Sequence, residues 1–168
     1  MDVSAAVATD LELDLQIASE ILEKNLGIPE KALIEQWILT TLSSANLSGD
    51  NQLTVRVVDE PEIKTLNETY RHKPGVTNVL SFPFEAPPEV PIPLLGDIVI
   101  CAPVVLQEAR LQHKQLLNHW AHMIVHGTLH LLGYDHLSEQ QADEMETMEI
   151  EILAEFGIPN PYIETQAQ

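Results

Sequence analysis

Leu11-Glu12-Leu13-Asp14-Leu15-Gln16-Ile17 alternates apolar and polar residues without a break, the period-two signature of a half-buried β-strand. Downstream, Pro29 opens a helical stretch in which Ile34, Trp37, Ile38, Thr41 and Leu42 fall on one face. The Ser48-Gly49-Asp50-Asn51 cluster turns the chain. Leu53, Val55 and Val57 then alternate with Thr54 and Arg56 in a second strand that ends near Asp59. A strand, a helix and a strand in that order predict that part of the sheet is parallel, because parallel neighbours need a crossover and the crossover is usually a helix.

The rest of the chain adds to this unit. Asp59 or Glu60, followed by Pro61, starts a helix that carries Ile63, Leu66, Asn67 and Tyr70 toward Arg71. Val79-Leu80-Ser81-Phe82-Pro83-Phe84 reads as a strand whose proline places it at a sheet edge or a strand end. Five of the eleven prolines lie between Pro83 and Pro93, which makes that segment a stiff loop. Gly96-Asp97 leads into a fourth strand, Ile98-Val99-Ile100-Cys101. From Pro103 a single long helical pattern runs to about Leu132, through Val105, Ala109, Leu116, Trp120, Met123, Ile124 and Leu131, and Gly133 closes it. Ser138 and Gln141 form a capping box for a last helix with the stripe Met145, Met148, Ile152 and Phe156, stopped by Gly157 and Pro159. No repeat and no separating linker interrupts residues 1–168. The expectation is an α+β single domain with about four strands in a mixed sheet and about four to five helices.

Composition narrows the function classes. The 168 residues include 26 Asp+Glu against 8 Lys+Arg, a formal charge of -18, and are 45% hydrophobic. Wholesale disorder is excluded, and a domain of about 150 residues buries roughly 68–70% of its unfolded surface. The lone cysteine, Cys101, excludes an intramolecular disulfide framework and a CxxC zinc ribbon. The N-terminus shows no basic and apolar leader pattern, and the longest nearly apolar run, Ile98 to Leu106, is broken by Pro103 and too short for a bilayer. A cytoplasmic protein without a membrane partner is expected. Such acidity argues against holding DNA or any nucleic acid through a broad basic surface. Six basic residues, Arg56, Lys64, Arg71, Lys73, Arg110 and Lys114, fall mid-chain, and none follows Gln115. Asp143, Glu144, Glu146, Glu149, Glu151 and Glu155 of the last helix read as an outer, solvated face.

Chemistry concentrates at the end of the long helix. His126 and His130 are four apart, so on a helix both imidazoles lie on one face, one turn apart. Gly133 lets the chain reverse, and His136 can return as a third ligand for a divalent ion. Three imidazoles favour zinc, although nickel, cobalt and copper accept the same donors. Three protein ligands also leave a fourth position open, as in catalytic rather than structural sites. His-x3-His-x2-Gly-x2-His is the spacing of metzincin peptidases, in which a glutamate general base follows the first histidine. Here that position is Gly127, which has no side chain to take a proton.

His126-Gly127-x-x-His130-Leu131-x-Gly133-Tyr134-Asp135-His136 resembles the signature of the YbeY family of bacterial metal-dependent endoribonucleases. Further blocks match in order: Val58-Asp59-Glu60, Leu66-Asn67-x-x-Tyr70-Arg71, Thr77-Asn78-Val79-Leu80-Ser81-Phe82-Pro83 and Leu95-Gly96-Asp97-Ile98. They span about residues 53 to 157, with an N-terminus that looks extended. The resemblance implies that His126, His130 and His136 hold one zinc ion and that Arg71 faces it across the cleft. It further implies cleavage of single-stranded RNA, in maturation of the small-subunit ribosomal RNA 3′ end and in ribosome quality control, with ribosomal or ribosome-associated proteins as partners. In place of the family's usual Gly-Lys-Asp-x-Pro, the chain has His72-Lys73-Pro74-Gly75-Val76.

Arg71 suits that role physically, since guanidinium offers forked donors to phosphate oxygens and stays charged; ending a surface helix is the alternative. Two other functional classes stand beside the nuclease. One is a metal-dependent hydrolase of another substrate, such as a peptidase lacking the glutamate. The other is a non-enzymatic ribosome-assembly factor with a structural metal. Whether the nucleophile is water or the RNA 2′-OH is open, as is the general base. His119 and His122 extend the histidine stripe and read as supporting or core residues. Asp135 either orients an imidazole or shapes the turn. Ser81 and Thr77 read as makers of local hydrogen bonds, and Cys101 as a small buried hydrophobe.

Overall fold

The alternating segments pair as their spacing predicts. The computed structural model describes residues 8–87, 89 and 92–163. β1 (Glu12–Ile17) lies parallel to β2 (Gln52–Val58), joined through α1 (Lys31–Ser44). The chain continues through α2 (Glu60–Tyr70), β3 (Val79–Pro83), β4 (Leu94–Cys101), α3 (Ala102–Leu111), α4 (Leu116–Leu131) and α5 (Glu139–Ala154). β4 pairs parallel with β2 and antiparallel with β3, giving a mixed four-stranded sheet of order β1-β2-β4-β3. The sheet is one domain's scaffold, with five α-helices around it among the described residues. The proline in β3 is tolerated because that strand is an edge. Residues 88, 90 and 91 of the proline-rich loop, and residues 1–7 of the N-terminus, lie outside the described residues.

The pleat sorts the core into two layers. Leu13, Val55, Val57, Ile98 and Ile100 join the larger cluster with Trp37, Ile38, Ile124, Leu129 and Ile152 of α1, α4 and α5. Val58, Leu80, Val99 and Cys101 turn to the other face and meet Ile63 of α2. The second half of β4, residues 98–101, is buried on both faces, so it reads as a continuous apolar run instead of an alternation. Helix α4 packs against α1, α3, α5, β3 and β4, which explains why eleven of its sixteen residues are buried.

Helix starts follow the sequence closely. Asp59 caps α2 by accepting from the Glu60 N–H at 2.8 Å. Ser138 caps α5 through the Gln141 N–H at 3.1 Å, while the Gln141 side chain accepts from Leu137 N and not from the cap residue's own N–H. α1 begins at Lys31 with Glu30 at the N-cap, so Pro29 precedes the helix.

One helix expected from the sequence is two. The pattern from Pro103 to Leu132 breaks between α3 and α4. There His113 adopts φ 55°, its N–H reaches Arg110 O at 3.4 Å, and Lys114 N–H reaches Ala109 O at 2.9 Å. These paired bonds close a helix C-terminus with a left-handed residue, a position usually given to glycine. Because histidine fills it, nothing in the sequence marks the end of α3.

Candidate metal centre

The site is built by the C-terminal half of α4 and the turn that follows. His126 and His130 sit one turn apart, their Nε2 atoms 3.1 Å from each other and their ring centroids 4.5 Å apart. Gly133, at φ 99°, reverses the chain; its N–H bonds His130 O, and Tyr134 N–H bonds Leu129 O, each at 3.1 Å. Asp135 then accepts the His136 backbone N–H at 2.8 Å and fixes the turn. The His136 ring comes to 5.2 Å from that of His130 and 6.1 Å from that of His126. One ligand atom from each of the three histidines lies within 4.8 Å of the others.

The donor set fits a divalent ion. Zinc–nitrogen bonds of roughly 2.0–2.1 Å in a tetrahedron separate ligand nitrogens by about 3.3–3.4 Å. The His126–His130 spacing is already close to that, and His136, the most exposed of the three, has room to close the remainder. Burial, together with neighbouring His126, pushes the His130 imidazole down to about 4, so it is neutral at physiological pH, as a ligand must be.

A carboxylate that sequence reading placed on the solvated face of α5 lies behind this cluster. Glu149 is fully buried. Its Oε2 is 2.9 Å from His126 Nδ1 and 3.0 Å from His122 Nε2, and its Oε1 accepts from the Tyr162 hydroxyl at 2.5 Å. Burial alone would raise this carboxyl, but the hydrogen bonds from His122 and His126 outweigh it and hold it near 2. Burial drives His122 the other way from a charged imidazole, keeping it a neutral donor. Burial and the adjacent Glu149 raise the Tyr162 hydroxyl above its ordinary range. The signal for Glu149 was present in the sequence: it stands four residues after Met145 and three before Ile152, inside the apolar stripe. Asp143, Glu144, Glu151 and Glu155 are exposed and Glu146 is half-buried, as an outer face requires.

Further along α4, His119 is buried and pairs with Glu108 of α3 at 2.9 Å, while Asn78 donates to the same carboxylate at 3.1 Å. Burial opposes ionisation of Glu108, yet these bonds hold it below the usual carboxylate range. Ser81 donates from Oγ to Gly127 O at 3.0 Å, tying β3 to α4 beside the first ligand-type histidine. Gly127 is pressed on the sheet: a Cβ there would meet Ile98 Cγ2 at 3.0 Å and Ser81 Oγ at 3.3 Å. A glutamate would therefore be directed into packed atoms. Cys101 is a buried hydrophobe, its thiol pushed up to about 11 by burial.

Arg71 follows the last turn of α2 and its backbone N–H bonds Asn67 O at 3.0 Å. Its guanidinium donates to Ser81 O on the outer edge of β3 and lies 5.5 Å from the Phe82 ring centroid. Tyr70 meets the same ring edge-on at 5.8 Å. Arg71 and Gly127, the residue after His126, are thus linked through Ser81, whose carbonyl accepts from Arg71 and whose hydroxyl donates to Gly127 O. His72 adopts φ 56° in the loop beyond, a left-handed conformation that glycine takes most readily.

The family model for endoribonuclease YbeY matches residues 18–157. The chain belongs to the YbeY endoribonuclease family. The match starts upstream of the sequence blocks at 53 and takes in α1 as well as the whole histidine segment. The solution structure of TM1509 from Thermotoga maritima is similar over 94% of this chain and 100% of that one, with a TM-score of 0.50 and 25% sequence identity. Among the described residues, no helix is long and apolar enough to cross a membrane.

Proposed function

We propose that this YbeY-family chain is a zinc-dependent endoribonuclease specific for single-stranded RNA. Its role would lie in late processing of the small-subunit ribosomal RNA 3′ end and in ribosome quality control, in the cytoplasm and with ribosome-associated proteins as partners. The observation that carries the reading is the convergence of His126, His130 and His136 within 4.8 Å at the end of α4. These three would hold one ion, with other divalent transition metals as competitors. Bound there, the ion supplies Lewis-acid stabilisation of phosphoryl charge.

The chain's own residues account for the remainder. Among the described residues no fourth His, Cys, Asp or Glu joins the triad, which favours an open catalytic site over a structural one. Arg71 uses one donor on Ser81 O and rests on Phe82, and the other N–H groups of its fork would serve phosphate oxygens. That gives a charge-stabilising group on the β3 side of the cluster. Gly127 leaves no room for a peptidase's glutamate, so peptide hydrolysis by that route is disfavoured.

The test compares labelled single-stranded RNA, duplex RNA and an unfolded protein as substrates. Cleavage of the single strand alone is expected. Cleavage of the unfolded protein with RNA left intact would replace this reading with a hydrolase of another class.

A further inference from the structure

Glu149 has three side-chain partners, His122, His126 and Tyr162. An ionised carboxylate only accepts hydrogen bonds. Three neighbours converge on it in a fully buried position of α5: His126 and His122 on Oε2, and Tyr162 on Oε1. Each must therefore donate. For His126 this has a direct consequence, because the ring nitrogen near Glu149 is Nδ1, at 2.9 Å. With the proton on Nδ1, Nε2 carries the lone pair, and Nε2 is the atom that faces His130 Nε2 at 3.1 Å.

We propose that Glu149 is a positioning residue that fixes the tautomer and ring orientation of His126, aiming the Nε2 lone pair at the point shared with His130 and His136. This rests on the metal reading of that triad and deepens it. His122 and Tyr162 act on the carboxylate and not on the triad. Tyr162 Oη also lies 3.2 Å from His122 Nε2, so the hydroxyl and the imidazole brace each other as well as Glu149. Tyr162 comes from the segment after α5, which Lys114 ties down by donating to Pro161 O at 2.8 Å. The orientation of one histidine is thereby set by residues from α4, α5 and the C-terminal segment, none of which is near His126 in sequence except through the helix itself. Carboxylate partners of this kind raise ligand basicity, and losing one typically weakens metal binding about 10–100-fold.

The experiment has two readouts on the full chain. The first is the tautomer of His126 in metal-free protein near neutral pH, read by long-range nitrogen–proton NMR correlations. A proton on Nδ1 is expected; a proton on Nε2 overturns the proposal whatever the variants do. The second is zinc affinity, measured by competition with a chromophoric chelator. Glu149→Gln is expected to weaken zinc about 10–100-fold. Tyr162→Phe keeps the carboxylate, removes one brace and is expected to weaken zinc by a few-fold. Glu151→Gln, on the exposed side of the same helix, is the control and should match the parent. If Glu149→Gln fails to fold, Tyr162→Phe and the parent's tautomer decide the matter. Parental zinc binding with unchanged affinity in both site variants would sink the role of Glu149 alone. A parent that binds no zinc would sink the metal reading itself.

Discussion

Helix α4 carries histidines at 119, 122, 126 and 130, one stripe of one residue type, yet its two halves differ in what they touch. The upstream pair is buried and answered by carboxylates: His119 by Glu108 and His122 by Glu149. The downstream pair is half-buried and faces another imidazole, with His136 completing the group. Periodicity puts all four side chains on related faces. What separates the two halves is the partner: a carboxylate takes up the N–H of a neutral imidazole, whereas three imidazoles with ring nitrogens within 4.8 Å of one another suit the proposed cation. Glu149 belongs to both halves, since Oε2 meets His122 and His126 together.

The largest effect should come from breaking the downstream half. His126→Ala or His130→Ala is expected to lose zinc stoichiometry and RNA cleavage together, down to background, as measured by elemental analysis and a labelled-RNA assay. Fully active, demonstrably metal-free protein would dissolve the distinction between the halves.

Arg71→Ala touches neither half directly. It should retain the metal while cleavage falls by roughly two orders of magnitude, the scale of losing one charge-stabilising donor. Unchanged turnover would leave Arg71 with the lesser task of satisfying the Ser81 carbonyl at the sheet edge.

These expectations differ in how far sequence alone supports them. The strands, the parallel unit and the His-x3-His-x2-Gly-x2-His spacing were legible because each depends on local periodicity or on a glycine at a helix end. The α3–α4 break was not, since His113 occupies the left-handed position that glycine would have announced. Glu149 was misplaced for a different reason. Charge argues for solvent and its place in the stripe between Met145 and Ile152 argues for burial; the partners from α4 and the C-terminal segment decide for burial. The link from Arg71 to Gly127 through Ser81 is likewise a product of strand β3 lying at the edge beside α4, which no local pattern encodes.

The upstream half can be broken in two places of unequal burial. Glu149→Ala strands buried donors on His122 and Tyr162 and is expected to cost about 3–5 kcal/mol in chemical denaturation. Glu108 is partly exposed, with 29% of its side chain accessible, and water can replace it as the partner of His119. Glu108→Ala should cost only about 1–2 kcal/mol. Equal losses would mean that burial of the carboxylate is not what sets the two apart.

The smallest effect lies outside both halves. His72→Gly relieves a left-handed residue in the loop after Arg71 and should raise stability by about 0.5–1 kcal/mol. Destabilisation would show that the His72 side chain holds that loop.

The proposed function has the downstream histidines holding an ion on which RNA cleavage depends. It is tested most directly by following zinc content and single-stranded RNA cleavage together in one purified preparation, as a chelator is added and zinc is then restored. The two are expected to fall and recover in proportion, reaching about one ion per chain at full activity. Cleavage that persists after the ion is gone would contradict it.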